Sequence, residues 1–165
     1  MALSESISSI PGATKFRSIG AVIIVVACMA IYLVYIENLA VEADRVARDR
    51  VINDIRGSLA MMLYDYSIKG QLKDLVKFDG ENPFVILAIY RSLPSNYRGT
   101  IESALENHTQ QGWYFDLNDR QVIFVSLDEG IDRYRLVFEY EDRDGDGRFD
   151  MRTDGVGRLE LQQAM

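Results

Sequence analysis

Cysteine and histidine are nearly missing from this chain: among 165 residues the only two are Cys28 and His108. A Cys/His zinc cluster, a disulfide framework and a paired-cysteine redox site each need more of these residues than one chain supplies. Positive charge is also scarce, with 18 Lys and Arg against 25 Asp and Glu and a net charge of -7. Such a surface repels phosphate backbones, which excludes nucleic-acid binding. Proline is sparse as well, at Pro11, Pro83 and Pro94, so the long stretch 12–82 contains no obligatory helix breaker. Charge of either sign is absent from residues 19–36, IGAVIIVVACMAIYLVYI. As a helix that run extends about 27 Å, close to the hydrocarbon thickness of a bilayer. It sets the chain apart from water-soluble enzymes.

What surrounds the run defines its type. It is longer than the core of a cleaved signal, and no small-x-small cleavage site follows before Glu37-Asn38-Leu39-Ala40 continues a helical pattern. The reading is a retained signal-anchor. Lys15 and Arg17 directly precede the run and favour a cytoplasmic N-terminus. Arg45, Arg48, Arg50 and Arg56 lie farther from the apolar run on its other side, and the nearer basic pair decides the orientation. The expected organisation is a cytoplasmic tail over 1–17, a transmembrane helix over 18–37, an amphipathic stem over 38–70 and an α/β head over 71–165. The length allows one modest domain beyond the anchor, not two.

Past the membrane the helical period continues through Leu39, Ala43, Val46, Ala47, Val51, Ile52, Ile55, Leu59, Met62 and Leu63. Asp44, Arg45, Arg48, Asp49, Asp54 and Arg56 form the charged face, with Asp44 and Arg48 spaced for an i,i+4 pair, and Gly70 is the expected stop. Glu81-Asn82-Pro83 before FVILAIY reads as a cap and proline start to a short buried helix over 83–91. Residues 93–99 read as a turn and 100–108 as a candidate second short helix. After Gly112 the period becomes two: a hairpin of 113–117 and 121–127, then a strand over 132–141 with Tyr134, Leu136, Phe138 and Tyr140 on one face, then an edge strand over 157–162. The fold class is α+β, a small antiparallel sheet laid on the stem's apolar stripe.

This layout resembles the type IV pilins and type II secretion pseudopilins. Two stretches carry the likeness. One runs from Glu81-Asn82-Pro83 through Asn96-Tyr97-Arg98-Gly99 to Gly112-Trp113-Tyr114-Phe115-Asp116, and is similar to the loop and first strand of small pilin-like proteins, including those of mannose-sensitive haemagglutinin pili. The other is Phe16-Arg17-Ser18-Ile19-Gly20, which lines up with the family's Phe-Thr-Leu-Ile-Glu start. Lys15 stands where the family's leader ends in glycine, and Gly20 stands for its glutamate. The resemblance implies a non-enzymatic pilin-like component of the bacterial inner membrane with a periplasmic head. Its partners would be other pilin-like subunits and the assembly platform, met through the helix, and the lipid bilayer. The departures imply an uncleaved, membrane-retained pilin-like protein that serves assembly, or a minor subunit, instead of a major pilin. The alternative is a single-pass anchored periplasmic sensor or binding domain unrelated to pili, using the Trp113–Phe115 region or the 142–150 loop.

One constellation carries metal chemistry. Asp142, Asp144, Asp146 and Asp150 occupy positions 1, 3, 5 and 9 of an EF-hand-like loop, Gly147 occupies position 6, and the Arg148 carbonyl supplies position 7. The expected ion is Ca²⁺. Position 12 is Thr153 instead of a bidentate glutamate, with Asp154 one residue later, and the flanks read as strands. The competing reading is a solvated acidic turn. Elsewhere the chemistry is sparse. His108 lies in a polar stretch, Ser67, Ser95 and Ser126 lack a nucleophile elbow, and Asp116 and Asp119 read as turn caps. Trp113, Tyr114 and Phe115 read as core, and Cys28 as a small apolar residue of the span. No catalytic set is expected.

Overall fold

The computed structural model describes residues 11–102, 110–127, 130–150, 152–155 and 157–164, with side chains from Ile19 onward. His108, and most of the expected second short helix, lie outside the described residues. Helix α1 (Pro11–Ile68) is followed by a 3-10 helix (Leu72–Phe78), α2 (Pro83–Tyr90) and strands β1 (Tyr97–Ile101), β2 (Gly112–Asp116), β3 (Gln121–Val125), β4 (Ile131–Glu139) and β5 (Arg158–Gln163). The chain forms two compact units, residues 1–41 and 42–165.

In the first unit every residue from 21 to 40 is exposed, and the helix is long and apolar enough to cross a membrane once. An all-round apolar helix with no protein cover is suited to lipid as its solvent. Cys28 lies on this exposed surface.

In the second unit the rest of α1 packs on a five-stranded sheet in the order β1-β2-β3-β4-β5. The arrangement is α+β and consistent with the pilin-like layout. Ile52, Ile55, Leu59 and Met62 recur every three or four residues along α1 and are buried. They meet Trp113 and Phe115 of β2, Val122 and Phe124 of β3, Tyr134, Leu136 and Phe138 of β4, and Leu161 of β5. At roughly 1.5–3 kcal/mol per buried side chain, those four helical residues contribute roughly 6–12 kcal/mol before entropy is subtracted. The helix ends as expected at Gly70, whose φ of 67° admits the left-handed turn. The Gln71 amide donates to the Tyr66 carbonyl at 2.8 Å and the Gly70 amide to Ser67 at 3.1 Å, a Schellman closure.

Three expectations are corrected. First, the apolar positions Ala43, Val46 and Ala47 do not face the sheet; all three are exposed, as is Leu39 in the first unit. Counting back from Ile52 in steps of four gives Arg48 and Asp44, so a polar pair occupies the inner face there. Second, Asp44 and Arg48 do not pair with each other, because each turns to the sheet: Arg48 Nη1 bonds Asp132 at 2.5 Å and Asp44 accepts donors from beyond β2 and β3. Third, Tyr97–Ile101 is a strand, and β1 pairs with β2 in parallel, making the sheet mixed. Gly112 permits that approach. Its φ is 144°, and a Cβ there would lie 2.3 Å from the Asn96 carbonyl that accepts the Trp113 amide at 3.0 Å.

Strand β4 outruns β3, and its far half is completed by the chain after the 3-10 helix. The Gly80 amide donates to the Leu136 carbonyl at 2.8 Å, and Asp79 accepts the Phe138 amide at 2.9 Å. Helix α2 starts as its sequence indicates: Asn82 Oδ1 accepts the Phe84 amide at 3.0 Å, with Pro83 at the first position. At its other end the Tyr90 hydroxyl donates to Asp65 of α1 at 2.8 Å. Burial, then the bond to Asp65 and its charge, push the Tyr90 hydroxyl from 10.0 up to about 12. A raised pKa means that folding favours the neutral phenol, so this contribution is complete below pH 10.0 and is lost as pH climbs through about 12. The melting-temperature gap between the natural protein and Tyr90→Phe should therefore hold steady up to about pH 9 and narrow between about pH 10 and 12. Circular-dichroism melts across that range measure it, and a gap independent of pH would contradict it.

Candidate functional site

The β4–β5 connection carries the densest set of acids. Phe149 fixes it to the body of the head, with ring centroids 5.0 Å from Phe138 and 5.4 Å from Tyr140. Asp142, Asp144, Asp146 and Asp150 stay in solvent. Asp142, Asp144 and Asp146 each present a carboxylate oxygen, and these oxygens lie within 4.8 Å of one another. The turn beneath them is built from their own backbone bonds. Asp142 accepts the Gly145 amide at 2.7 Å and the Gly147 amide at 2.9 Å, while Asp146 accepts the Arg148 amide at 2.7 Å. Gly145 and Gly147, with φ of 74° and 72°, supply the left-handed residues that the tight coil requires.

Electrostatics follow from this geometry. The Gly147 amide, aided by that of Gly145 and opposed by desolvation, holds the Asp142 carboxyl below its ordinary value. Tyr140 is displaced upward, first by burial and then by the negative field of Asp142, Asp154, Asp146 and Asp144. The loop therefore directs the field of four carboxylates onto one tyrosine. Three carboxylate oxygens at this spacing are oxygen donors of the kind that hard cations take.

The other residues of the motif are placed as follows. Asp150 is outside the three-acid cluster, and its Oδ1 accepts the Arg152 amide at 2.9 Å. Arg148 is exposed. Asp154, the residue after the empty twelfth position of the motif, is buried and accepts one amide from each side of the loop, Arg143 at 3.1 Å and Asp150 at 2.7 Å. It closes the loop instead of extending the ligand set. Thr153 is exposed.

Other sequence candidates fall into structural places. Asp116 is buried and Oδ1 accepts the amides of Asn118 at 2.8 Å and Asp119 at 3.3 Å, capping the hairpin turn. Trp113 and Phe115 face the stem, and Tyr114 faces Ile101 and Ile123 on the opposite side of the sheet. All three are buried and offer no ledge to a ligand. Sequence reasoning missed the polar contact of Asp44, which accepts Gln111 Nε2, Ser126 Oγ at 3.0 Å and the Leu127 amide at 3.2 Å. The available signal was the stripe itself, which reaches Asp44 when continued backward from Ile52.

The outer side of the stem is the other notable surface. Val46, Met61, Tyr64 and Ile68 are exposed along it. A groove of about 560 Å³ is lined by Gly57, Ala60, Met61, Tyr64, Asp65 and Tyr90. No protein-family model, curated protein or solved structure matches this chain.

Because Asp154 satisfies amides on both sides of the loop, Asp154→Ala should leave both without their acceptor, at a cost of about 1–3 kcal/mol. Amide exchange at Arg143 and Asp150 should accelerate strongly, with Val122 and Phe124 in β3 little changed. Hydrogen exchange read by mass spectrometry checks this; unchanged rates at Arg143 and Asp150 would refute the closing role.

Proposed function

We propose that this chain is a membrane-anchored, pilin-like subunit of a type IV pilus or type II secretion-like apparatus, non-enzymatic and retained in a bacterial inner membrane with its head in the periplasm. The observation that carries the reading is the division of labour along one continuous helix. Its first part is apolar on every side, and its later part lays one face on a sheet while leaving Val46, Met61, Tyr64 and Ile68 outside. Exposed apolar residues along a stem are suited to lateral packing against other helices. The N-terminal likeness adds to this, and its departures at Lys15 and Gly20 argue for a retained subunit.

Two measurements test the reading. Intact mass and N-terminal sequence of the protein from its own membranes should give a chain beginning at residue 1 or 2. A start at Phe16 would move it among processed fibre subunits, and cleavage beyond residue 36 would overturn the pilin reading. Photo-crosslinkers at Val46 and Met61 should yield adducts with helix-led, pilin-like proteins, identified by mass spectrometry. Adducts confined to unrelated proteins would favour an anchored sensor instead.

The acidic loop is assigned to Ca²⁺ through Asp142, Asp144, Asp146 and Asp150, with the Arg148 carbonyl completing the set. The affinity expected without a twelfth ligand is weak, on the order of 0.1–1 mM. Calcium would cancel the negative field on Tyr140, so its hydroxyl should ionise at lower pH when the ion is bound. Spectrophotometric titration against Tyr140→Phe, with and without calcium, isolates that group. Calorimetry should show heat for the natural chain and none for Asp144→Asn; no heat at excess calcium would eliminate the site.

A further inference from the structure

The head holds α1 by two chemically different means. Over residues 51–63 the hold is apolar, through Ile52, Ile55, Leu59 and Met62 with Val51 and Leu63 beside them. Over residues 42–50 no described residue belongs to either apolar cluster. Ala43, Val46 and Ala47 point away from the sheet and are exposed. What joins this lower stretch to the sheet is a pair of side chains on the inner face. Asp44 accepts Gln111 Nε2 with one oxygen, and Ser126 Oγ and the Leu127 amide with the other. One turn later Arg48 Nη1 bonds Asp132 at 2.5 Å. The points gripped are Gln111 just before β2, Ser126 and Leu127 just after β3, and Asp132 at the start of β4, which lie together at one end of the strands.

We propose that this clasp is a releasable latch: Gln111, Ser126, Leu127 and Asp132 part from Asp44 and Arg48 while the head stays joined to α1 through Ile52–Met62. The reason is the different cost of separating the two contacts. When Asp44 and its donors part, each finds water as a replacement partner, so most of the bond energy is returned. Arg48 and Asp132 are each about one quarter exposed, so salt reaches the pair and screens it. Exposing Ile55 or Leu59 has no such compensation. Opening at the polar end is therefore a sub-global event that leaves the apolar core intact. It would free the inner face of the lower stem at Asp44 and Arg48 for another polar partner. The inference rests on the clasp alone and does not depend on the pilus reading.

Hydrogen exchange on the full chain in detergent micelles tests it, with the Leu127 amide as reporter because Asp44 is its acceptor. The comparators are the amides of Val137 and Glu160, a hydrogen-bonded pair across β4 and β5. Raising salt towards about 1 M should speed exchange at Leu127 severalfold and leave the comparators unchanged. Asp44→Ala should speed it about tenfold or more, and the milder Arg48→Met should act in the same direction, again without moving the comparators. Acceleration of Leu127 and the comparators in step would overturn the latch, since the clasp would then open only with the whole head. Protection at Leu127 that neither salt nor either variant alters would overturn it equally.

Discussion

The architecture of the head depends on covering one apolar stripe, Ile52–Met62 of α1, and that stripe can be covered only by a surface with the opposite periodicity. A strand places alternate side chains on one face, so β2, β3 and β4 each present two or three residues to a helix whose own residues repeat every three or four. Neither partner is stable alone: a five-stranded sheet of short strands needs an apolar face buried, and an isolated helical stem gains little from propensity. Trp113 lies at the centre of this contact with no exposed surface, its ring centroid 4.6 Å from Phe124 and 5.9 Å from Phe84. Its indole Nε1 has no hydrogen-bond partner among the described residues. A buried donor left this way costs about 1–3 kcal/mol, which the packing of so large a ring outweighs.

Much of this was written in the sequence wherever a residue's period alone determines its side. The alternation through Tyr134, Leu136 and Phe138 placed those residues inward, and they are buried. Asn82-Pro83 marked the start of α2 because capping and a proline first turn are local chemistry, decided within three residues. Gly70 marked the end of α1 for the same reason. Strand β1 was hidden because its partner lies across a crossover, and YRGTI carries a central glycine and no alternating signal. The fit that makes it a strand comes from Gly112, whose missing Cβ lets the Asn96 carbonyl approach. Such a fit depends on two distant segments at once.

Asp44 and Arg48 show a different limit. Charge led to their assignment to the solvent face, and the i,i+4 spacing suggested that they served each other. Geometry says otherwise, because a helix face is fixed by angle and the angle of Ile52 continues through Arg48 to Asp44. A polar residue on an inner face is tolerated when every acceptor finds a donor, and Asp44 has three. The acidic loop has the same character. Its spacing was legible, since alternate acids on a coil converge, and three of the four converge. The role of Asp154 was not legible, because loop closure depends on where the Arg143 and Asp150 amides point.

The helix surface left over then constrains what can bind it. Residues 19–36 contain no charged side chain, so contacts within that stretch have only packing and weak polar bonds to distinguish one partner from another. In the second unit the outer line Ala43, Val46 and Ala47 is followed by Arg50, which makes no ion pair among the described residues. An apolar partner helix satisfies the line but strips water from an unpaired guanidinium, whereas a partner with a carboxylate at that level satisfies both. Charge of this kind selects among partners more than it strengthens binding to any of them. For a stem that packs laterally as proposed, discrimination would reside at Arg50, outside the stretch without charges, where a mismatched partner leaves a cation unpaired.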